Sequence, residues 1–120
     1  ALLDARKAFK MFEKVEIPVL GIVENMSTHI CSNCGHEEHI FGEGGGKRMA
    51  EQYGVDYLGD VPLALSIREG TDVGMPTVVA DPDSSLASTY REISRNVAGR
   101  LAARKRDYSD AFPSIVVQNT

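Results

Sequence analysis

Several features that would assign a protein to a class are missing from this chain of 120 residues. No apolar run approaches the roughly 18 residues that a transmembrane helix needs. The formal net charge is −4, so the chain carries no excess of positive charge to attract nucleic acid or an anionic membrane. The first residues lack the charged segment followed by an apolar segment that marks a signal peptide. These absences predict a cytoplasmic protein with no nucleic-acid partner and no membrane partner.

Cysteine is scarce as well, because the chain holds only two, Cys31 and Cys34. In the cytoplasm, a CxxC pair indicates a metal-binding or redox site rather than a structural disulfide. A tetrahedral zinc site or a four-iron cluster requires four ligands, and this pair supplies two. The others could be His29, His36 or His39, or the same cysteines of a second copy related by a two-fold axis. A redox-active pair without metal is the third alternative, although the pair does not open a helix as thioredoxin-like motifs do.

A complete phosphate-binding loop is also missing. A glycine-rich run at 42–46 precedes Lys47, which superficially resembles such a loop. However, a P-loop needs glycine where this chain has Phe41 and a hydroxyl residue where it has Arg48. We therefore interpret these glycines as a tight turn into a helix that begins at Lys47. The chain alone is not expected to hold nucleotide phosphates or to hydrolyse ATP by this means.

The sequence does contain an alternation of helical and strand-like segments. We predict helices over 1–14, 47–53 and 63–72, a long last helix capped by Asp83 or Ser84, strands over 15–23 and 55–61, and a long polar loop over 24–46. This order indicates an α/β fold with a parallel sheet flanked by helices. Two or three strands make a poor sheet, and Ala1 stands inside a predicted helix without Met or a cap. Both observations suggest part of a larger protein whose N-terminal half is absent.

Polar residues follow both predicted strands at their carboxyl ends, where ligands bind in open α/β sheets. Asn25 follows the first strand, and its amide can both donate to and accept from the edge of a purine. The same side chain could instead stabilise the loop, and position alone does not separate the two roles. Asp60 and Pro62 end the second strand in the same way.

Several short motifs together resemble the Mrp/ApbC family. The strings that carry the resemblance occur in the family's order and spacing: VLGIVENMS at 19–27, CSNCG at 31–35, IFGEGGG at 40–46, LGDVPL at 58–63, IRE at 67–69 and DVGMP at 72–76. The resemblance extends over residues 1–101. It implies that residues 1–107 are the C-terminal part of a P-loop ATPase domain of the MinD-like class, followed by a tail at 108–120.

This resemblance implies a homodimer that binds a 4Fe–4S cluster through the CxxC cysteines of two subunits. The family hands its cluster to apo iron–sulfur client proteins and uses ATP in doing so. By motif position, Cys31 and Cys34 take the role of metal ligands. Asn25 takes a contact with adenine, and Pro62 lies in the segment that passes the base. Ala64 stands where many members have Asp, so no ribose contact is expected there.

The family's phosphate-binding loop, magnesium ligands and catalytic aspartate belong to a part that this chain does not contain, so ATPase activity is implied only for a full-length protein. A structural or interaction module that binds zinc through the same cysteines is the alternative function.

Overall fold

The computed structural model of the protein describes residues 1–104. In chain order they form α1 (Leu2–Lys14), β1 (Gly21–Ile30), β2 (Glu37–Glu38), α2 (Gly45–Tyr53), β3 (Asp56–Leu63), α3 (Leu65–Asp72), α4 (Thr77–Ala80) and α5 (Ser85–Ala103). The sheet has the order β2-β1-β3, with β1 and β3 parallel and β2 antiparallel to β1. The predicted α/β class, a parallel sheet flanked by helices, is confirmed. The predicted tail and the boundary at residue 107 lie outside the described residues.

The first strand differs most from the prediction. It begins at Gly21 and ends at Ile30, so the predicted range 15–23 is wrong at both ends. Residues 15–17 instead turn the chain, because Val15 and Ile17 donate backbone hydrogen bonds back to α1 and Glu16 has a left-handed φ of 59°. The polar residues after Val23 continue the strand because β3 offers them a hydrogen-bonding partner. Tertiary pairing overrides the low strand propensity of such residues.

The long polar loop predicted over 24–46 is largely structured. Its beginning belongs to β1, and its middle forms a short hairpin in which His29 lies opposite Glu38 and Ile30 lies opposite Glu37. This hairpin was not predicted, because β2 is only two residues long and both are glutamates. The two cysteines consequently lie at the tip of a β-hairpin.

The glycine-rich turn does lead into a helix, as predicted, but α2 begins at Gly45 and not at Lys47, so two of these glycines belong to its first turn. α2 ends at Tyr53, and its C-cap Gly54 has the left-handed conformation typical of that position. A Cβ on Gly46 would lie 2.9 Å from the Cβ of Glu24, so this glycine lets α2 approach β1 closely. The carboxylate of Glu24 lies against the first turn of α2 and accepts a 3.4 Å hydrogen bond from the hydroxyl of Tyr57. An acidic side chain therefore lies where a P-loop would hold phosphate.

The last helix is confirmed, together with its cap. The Oγ of Ser84 accepts a 3.1 Å hydrogen bond from the backbone N–H of Ala87. α5 packs on β3, where Asn96 donates a 2.9 Å hydrogen bond to the carbonyl of Leu58. The buried apolar residues form a small core between the helices and the sheet: Phe9, Met49, Ala50, Leu58, Val61, Ala64 and Ala87. Within residues 1–104 no helix combines the length and apolar character needed to cross a membrane.

Candidate functional site

Cys31 and Cys34 share one hydrogen-bonded turn between β1 and β2. The N–H of Cys31 donates to the carbonyl of His36 at 2.9 Å, and the N–H of Gly35 donates to the carbonyl of Cys31 at 2.9 Å. Gly35 has a φ of 72°, which a residue with a side chain adopts only under strain. The turn therefore depends on this glycine and keeps the two cysteines in one short, closed segment.

The turn also changes the acidity of one thiol. Cys31 is half-buried and Cys34 is exposed, and neither is in a disulfide. The backbone N–H groups of Cys34 and Asn33, and then the Cys34 thiol, direct hydrogen bonds at the sulfur of Cys31 and lower its pKa, while partial burial and the charge of Glu38 oppose the shift. The thiolate is the form that binds metal and attacks electrophiles. The turn thus favours the ligand form of Cys31.

Cys31 is expected to react with iodoacetamide faster than Cys34 near neutral pH. The lowered pKa of Cys31 raises its thiolate fraction there, and this gain should shrink as the pH rises and the Cys31 thiol ionises fully. Timed alkylation, followed by tandem mass spectrometry of the peptide that holds both cysteines, measures the two rates. The control is the chain in urea, in which the turn is lost and the rates should converge. Faster alkylation of Cys34 in the folded chain would contradict the assignment.

The three histidines of this region do not join the cysteines in one site. The Nδ1 of His39 lies 3.3 Å from the carbonyl oxygen of Ser27. The Nδ1 of His29 is buried and lies 3.9 Å from a carboxylate oxygen of Glu38, too far for a hydrogen bond. His36 is exposed and contributes its carbonyl to the turn.

A zinc site within one chain therefore loses its geometric basis. Among residues 1–104, no three His, Cys, Asp or Glu side chains are grouped so that they could hold a metal ion. A site of two cysteines and two histidines requires four such groups in one place. In the described part of the chain, the cysteine pair offers two thiols, and no third group of this kind lies beside them.

Asn25 and Pro62 lie on the two parallel strands, but Asn25 falls in the middle of β1, because this strand continues to Ile30, and not at the carboxyl end where the sequence placed it. Asn25 lies opposite Val61 in the β1–β3 pairing, and Val61 immediately precedes Pro62. The Oδ1 of Asn25 accepts a 2.9 Å hydrogen bond from the N–H of Met26, so this side chain does stabilise its own loop. The two residues line different hollows: Asn25 one of about 350 Å³ between α1, β1 and α2, and Pro62 one of about 500 Å³ beside α5. The predicted adenine contact stays a prediction.

Sequence reasoning missed a contact that links the two strands close to the cysteine turn. The hydroxyl of Ser27 donates a 2.8 Å hydrogen bond to the Oδ2 of Asp60, across 33 residues of sequence. Ser27 is only 6% exposed, whereas the sequence places it in a polar loop. No local pattern distinguishes a buried serine from the exposed serine at position 32.

The fold and the cysteine turn together define the class of this protein. It is an α/β protein with a parallel strand pair and a thiol pair on a hairpin that extends the first of these strands. Residues 1–98 match the sequence model of a family described as ParA: NUBPL iron-transfer P-loop NTPase. The chain belongs to this family.

Curated relatives agree with this family. The iron-sulfur cluster carrier protein of Pseudomonas fragi is 63% identical over 94 residues, which cover 78% of this chain and 33% of that protein. The carrier protein of Escherichia coli K12 is 56% identical over 101 residues, covering 84% of this chain and 27% of that protein. The iron-sulfur cluster transfer protein NUBPL of Mus musculus is 50% identical over 101 residues, covering 84% and 32%. The chain thus spans about a third of the length of the relatives it matches.

A solved structure shows the same fold. It is a nucleotide-binding protein of Archaeoglobus fulgidus in complex with ADP, with a TM-score of 0.52 and 31% sequence identity over 69% of this chain and 33% of that one. The resemblance to cluster carriers of the P-loop NTPase class, predicted from the motifs, is confirmed.

Proposed function

We propose that this chain is the cluster-binding part of an iron–sulfur cluster carrier. It holds a 4Fe–4S cluster as cargo through Cys31 and Cys34 and hands it to apo iron–sulfur proteins. The observation that carries this proposal is the closed CxxC turn, in which hydrogen bonds lower the pKa of the Cys31 thiol. Membership of an iron-transfer family supports iron–sulfur cargo over the alternative of a zinc-binding module.

A second copy of the chain would complete the site. One copy offers two thiolates, and a four-iron cluster takes four. The turn lies at the tip of a hairpin, and Ser32, Asn33, Cys34 and Gly35 are all exposed. Two such tips can meet across a two-fold axis, which pairs identical residues with each other. The cluster would then bridge two subunits.

We propose that the function depends on ATP only in a full-length protein. The phosphates do not fit the amino end of α2, because the Glu24 carboxylate lies there and no P-loop sequence is present. The exposed Asn25, at the point in β1 where regular pairing with β3 ends, keeps its amide nitrogen as a donor for the edge of a base, while Pro62 lies on the neighbouring strand. This chain would therefore contribute a base contact and not the hydrolytic machinery. The cytoplasmic location also stays a prediction.

Anaerobic reconstitution tests the proposed function. The chain is treated with iron and sulfide under reducing conditions, and iron, acid-labile sulfide and zinc are then quantified per chain. We expect about two iron and two sulfide per chain, which corresponds to one four-iron cluster per dimer. Stoichiometric zinc that iron does not displace would indicate the zinc-binding module instead. Absence of both metals, together with a reversible Cys31–Cys34 disulfide, would indicate a redox pair.

Loading with the cluster is expected to convert monomer to dimer at low protein concentration. The complete set of thiolates exists only in the dimer, so the free energy of cluster binding adds to that of association. Sedimentation velocity of apo and reconstituted protein measures the change. The matched control is the Cys31→Ser/Cys34→Ser double variant treated in the same way, which should not shift. A loaded monomer with an intact cluster would contradict the bridging arrangement.

A further inference from the structure

One side chain that the family motifs do not assign contacts β1 from the far end of the CxxC hairpin. We propose that His39 is a positioning residue for the cysteine turn, which acts by holding the carbonyl of Ser27. The inference rests on the proposed function and deepens it, because it names a residue that governs how firmly the cluster is retained.

The argument begins with an irregularity in β1. The strand pairs with β3 up to Asn25, and the register then shifts before His29 pairs with Leu63. At the start of this shift Met26 has a left-handed φ of 52°. A bulge of this kind bends a strand and re-aims the residues that follow it. Those residues lead directly to Cys31.

Ser27 fixes the bulge from one side. Its hydroxyl is buried and lies 2.8 Å from the Oδ2 of Asp60 and 3.3 Å from the carbonyl oxygen of Val61. A hydroxyl has a single proton to donate, and the shorter contact with a charged acceptor is the stronger bond. The side chain thereby ties the bulge to β3.

His39 fixes the same residue from the other side. Its Nδ1 lies 3.3 Å from the carbonyl oxygen of Ser27, so the tautomer with a proton on Nδ1 donates to that oxygen. Its Nε2 faces Glu43 at 3.8 Å, which is beyond hydrogen-bonding distance. His39 directly follows β2, and β2 itself pairs with β1 at only two positions. The histidine thus adds a contact with β1 to the few backbone pairs that β2 makes.

This contact has a consequence for the cysteines. The turn between Cys31 and His36 is closed by its own hydrogen bonds, but its position relative to the sheet depends on β1 and β2. A metal-binding turn that moves in the free protein must become ordered when the metal binds, and the loss of conformational entropy weakens binding. With His39 in place, the two thiolates are held closer to one position before the cluster arrives.

The test compares His39→Ala with His39→Asn. The amide nitrogen of Asn can take the place of Nδ1 as a donor, whereas Ala removes the donor. The matched control is Ile40→Ala, which removes an exposed side chain from the residue next to His39. Two quantities are measured in the full chain: hydrogen exchange of the Cys31 and Gly35 amides in the apo form, and the rate at which a chelator removes iron from the reconstituted form.

We expect His39→Ala to raise both the exchange rates and the rate of iron removal about fivefold, as the loss of one hydrogen bond would. His39→Asn should restore both to within about twofold of the wild type, and Ile40→Ala should leave them unchanged. The rescue by Asn separates positioning by a donor from a general effect of the imidazole ring.

The inference would be overturned by unchanged exchange at Cys31 and Gly35 in His39→Ala, by no rescue in His39→Asn, or by an equal effect of Ile40→Ala. Exchange of amides in α5 monitors the global fold. Loss of protection there in both His39 variants would show a general structural role and would also overturn the inference. If the wild type takes up no cluster, the proposed function fails, and the exchange measurements on apo protein alone decide the role of His39.

Discussion

Replacing Cys31 by Ser is expected to abolish the visible absorbance of the reconstituted cluster and to reduce bound iron to the background level. A serine hydroxyl stays protonated at neutral pH and cannot replace a thiolate. In a two-fold site, one substitution removes two of the four ligands, so the effect is larger than the loss of a single bond. Cys34→Ser should behave in the same way. Absorbance spectra and iron analysis after anaerobic reconstitution measure the loss.

Ser32→Ala is the matched control for these variants. Ser32 lies between the two cysteines and is exposed, so its substitution leaves both thiolates in place. It should take up the same iron and sulfide as the wild type. Circular dichroism of all apo variants should coincide, because neither cysteine belongs to the buried core. A full four-iron complement in Cys31→Ser would refute the ligand assignment.

Gly59→Ala is expected to lower the free energy of unfolding by about 3 kcal/mol, from backbone strain and overpacking together. Gly59 has a φ of 139°, a conformation that residues with a side chain rarely adopt. A Cβ at this position would also lie 2.8 Å from the Cγ1 of Ile93 on α5. The absence of a side chain at Gly59 therefore lets α5 approach β3. Equilibrium unfolding in urea, followed by circular dichroism, measures the change.

Gly99→Ala provides the control for this prediction. Gly99 lies within α5, and a Cβ there would meet no atom within 4 Å in the described part of the chain. Its substitution should be neutral or stabilising by up to about 1 kcal/mol, because alanine favours helix over glycine. The Gly59→Ala/Ile93→Ala double variant should lose less stability than the sum of the two single variants, since the clash is gone. An unchanged urea midpoint in Gly59→Ala would show that α5 does not pack closely on this strand.

Local signals predicted the helices well. The C-terminal end of α2 follows from Gly54, and the start of α5 follows from Ser84 and the apolar periodicity that comes after it. Both helix boundaries depend on residues within one or two helical turns, so a short stretch of sequence is enough to predict them. The four-residue helix α4 carries too few residues to show a periodicity and was not predicted.

The strands show where local signals fail. The strand at 15–23 was predicted because its residues are apolar and β-branched. The chain nevertheless turns at Glu16 and pairs with β3 only from Gly21 onward. The hairpin limb Glu37–Glu38 has no strand propensity and exists because the end of β1 offers it partners. Strand pairing depends on distant segments of the chain, so strand boundaries predicted from short stretches of sequence are wrong here.

The linear sequence is enough to identify the candidate ligands and the family of this chain. Its only two cysteines form the pair Cys31 and Cys34, and the order of its short motifs identifies the family, because both are properties of the linear chain. The tertiary structure alone decided what surrounds that pair. It placed the cysteines on a hairpin, directed His39 to the carbonyl of Ser27, and brought Ser27 to Asp60. The physical reason is that these contacts join residues 12 to 33 positions apart, whose approach depends on how β1, β2 and β3 pair.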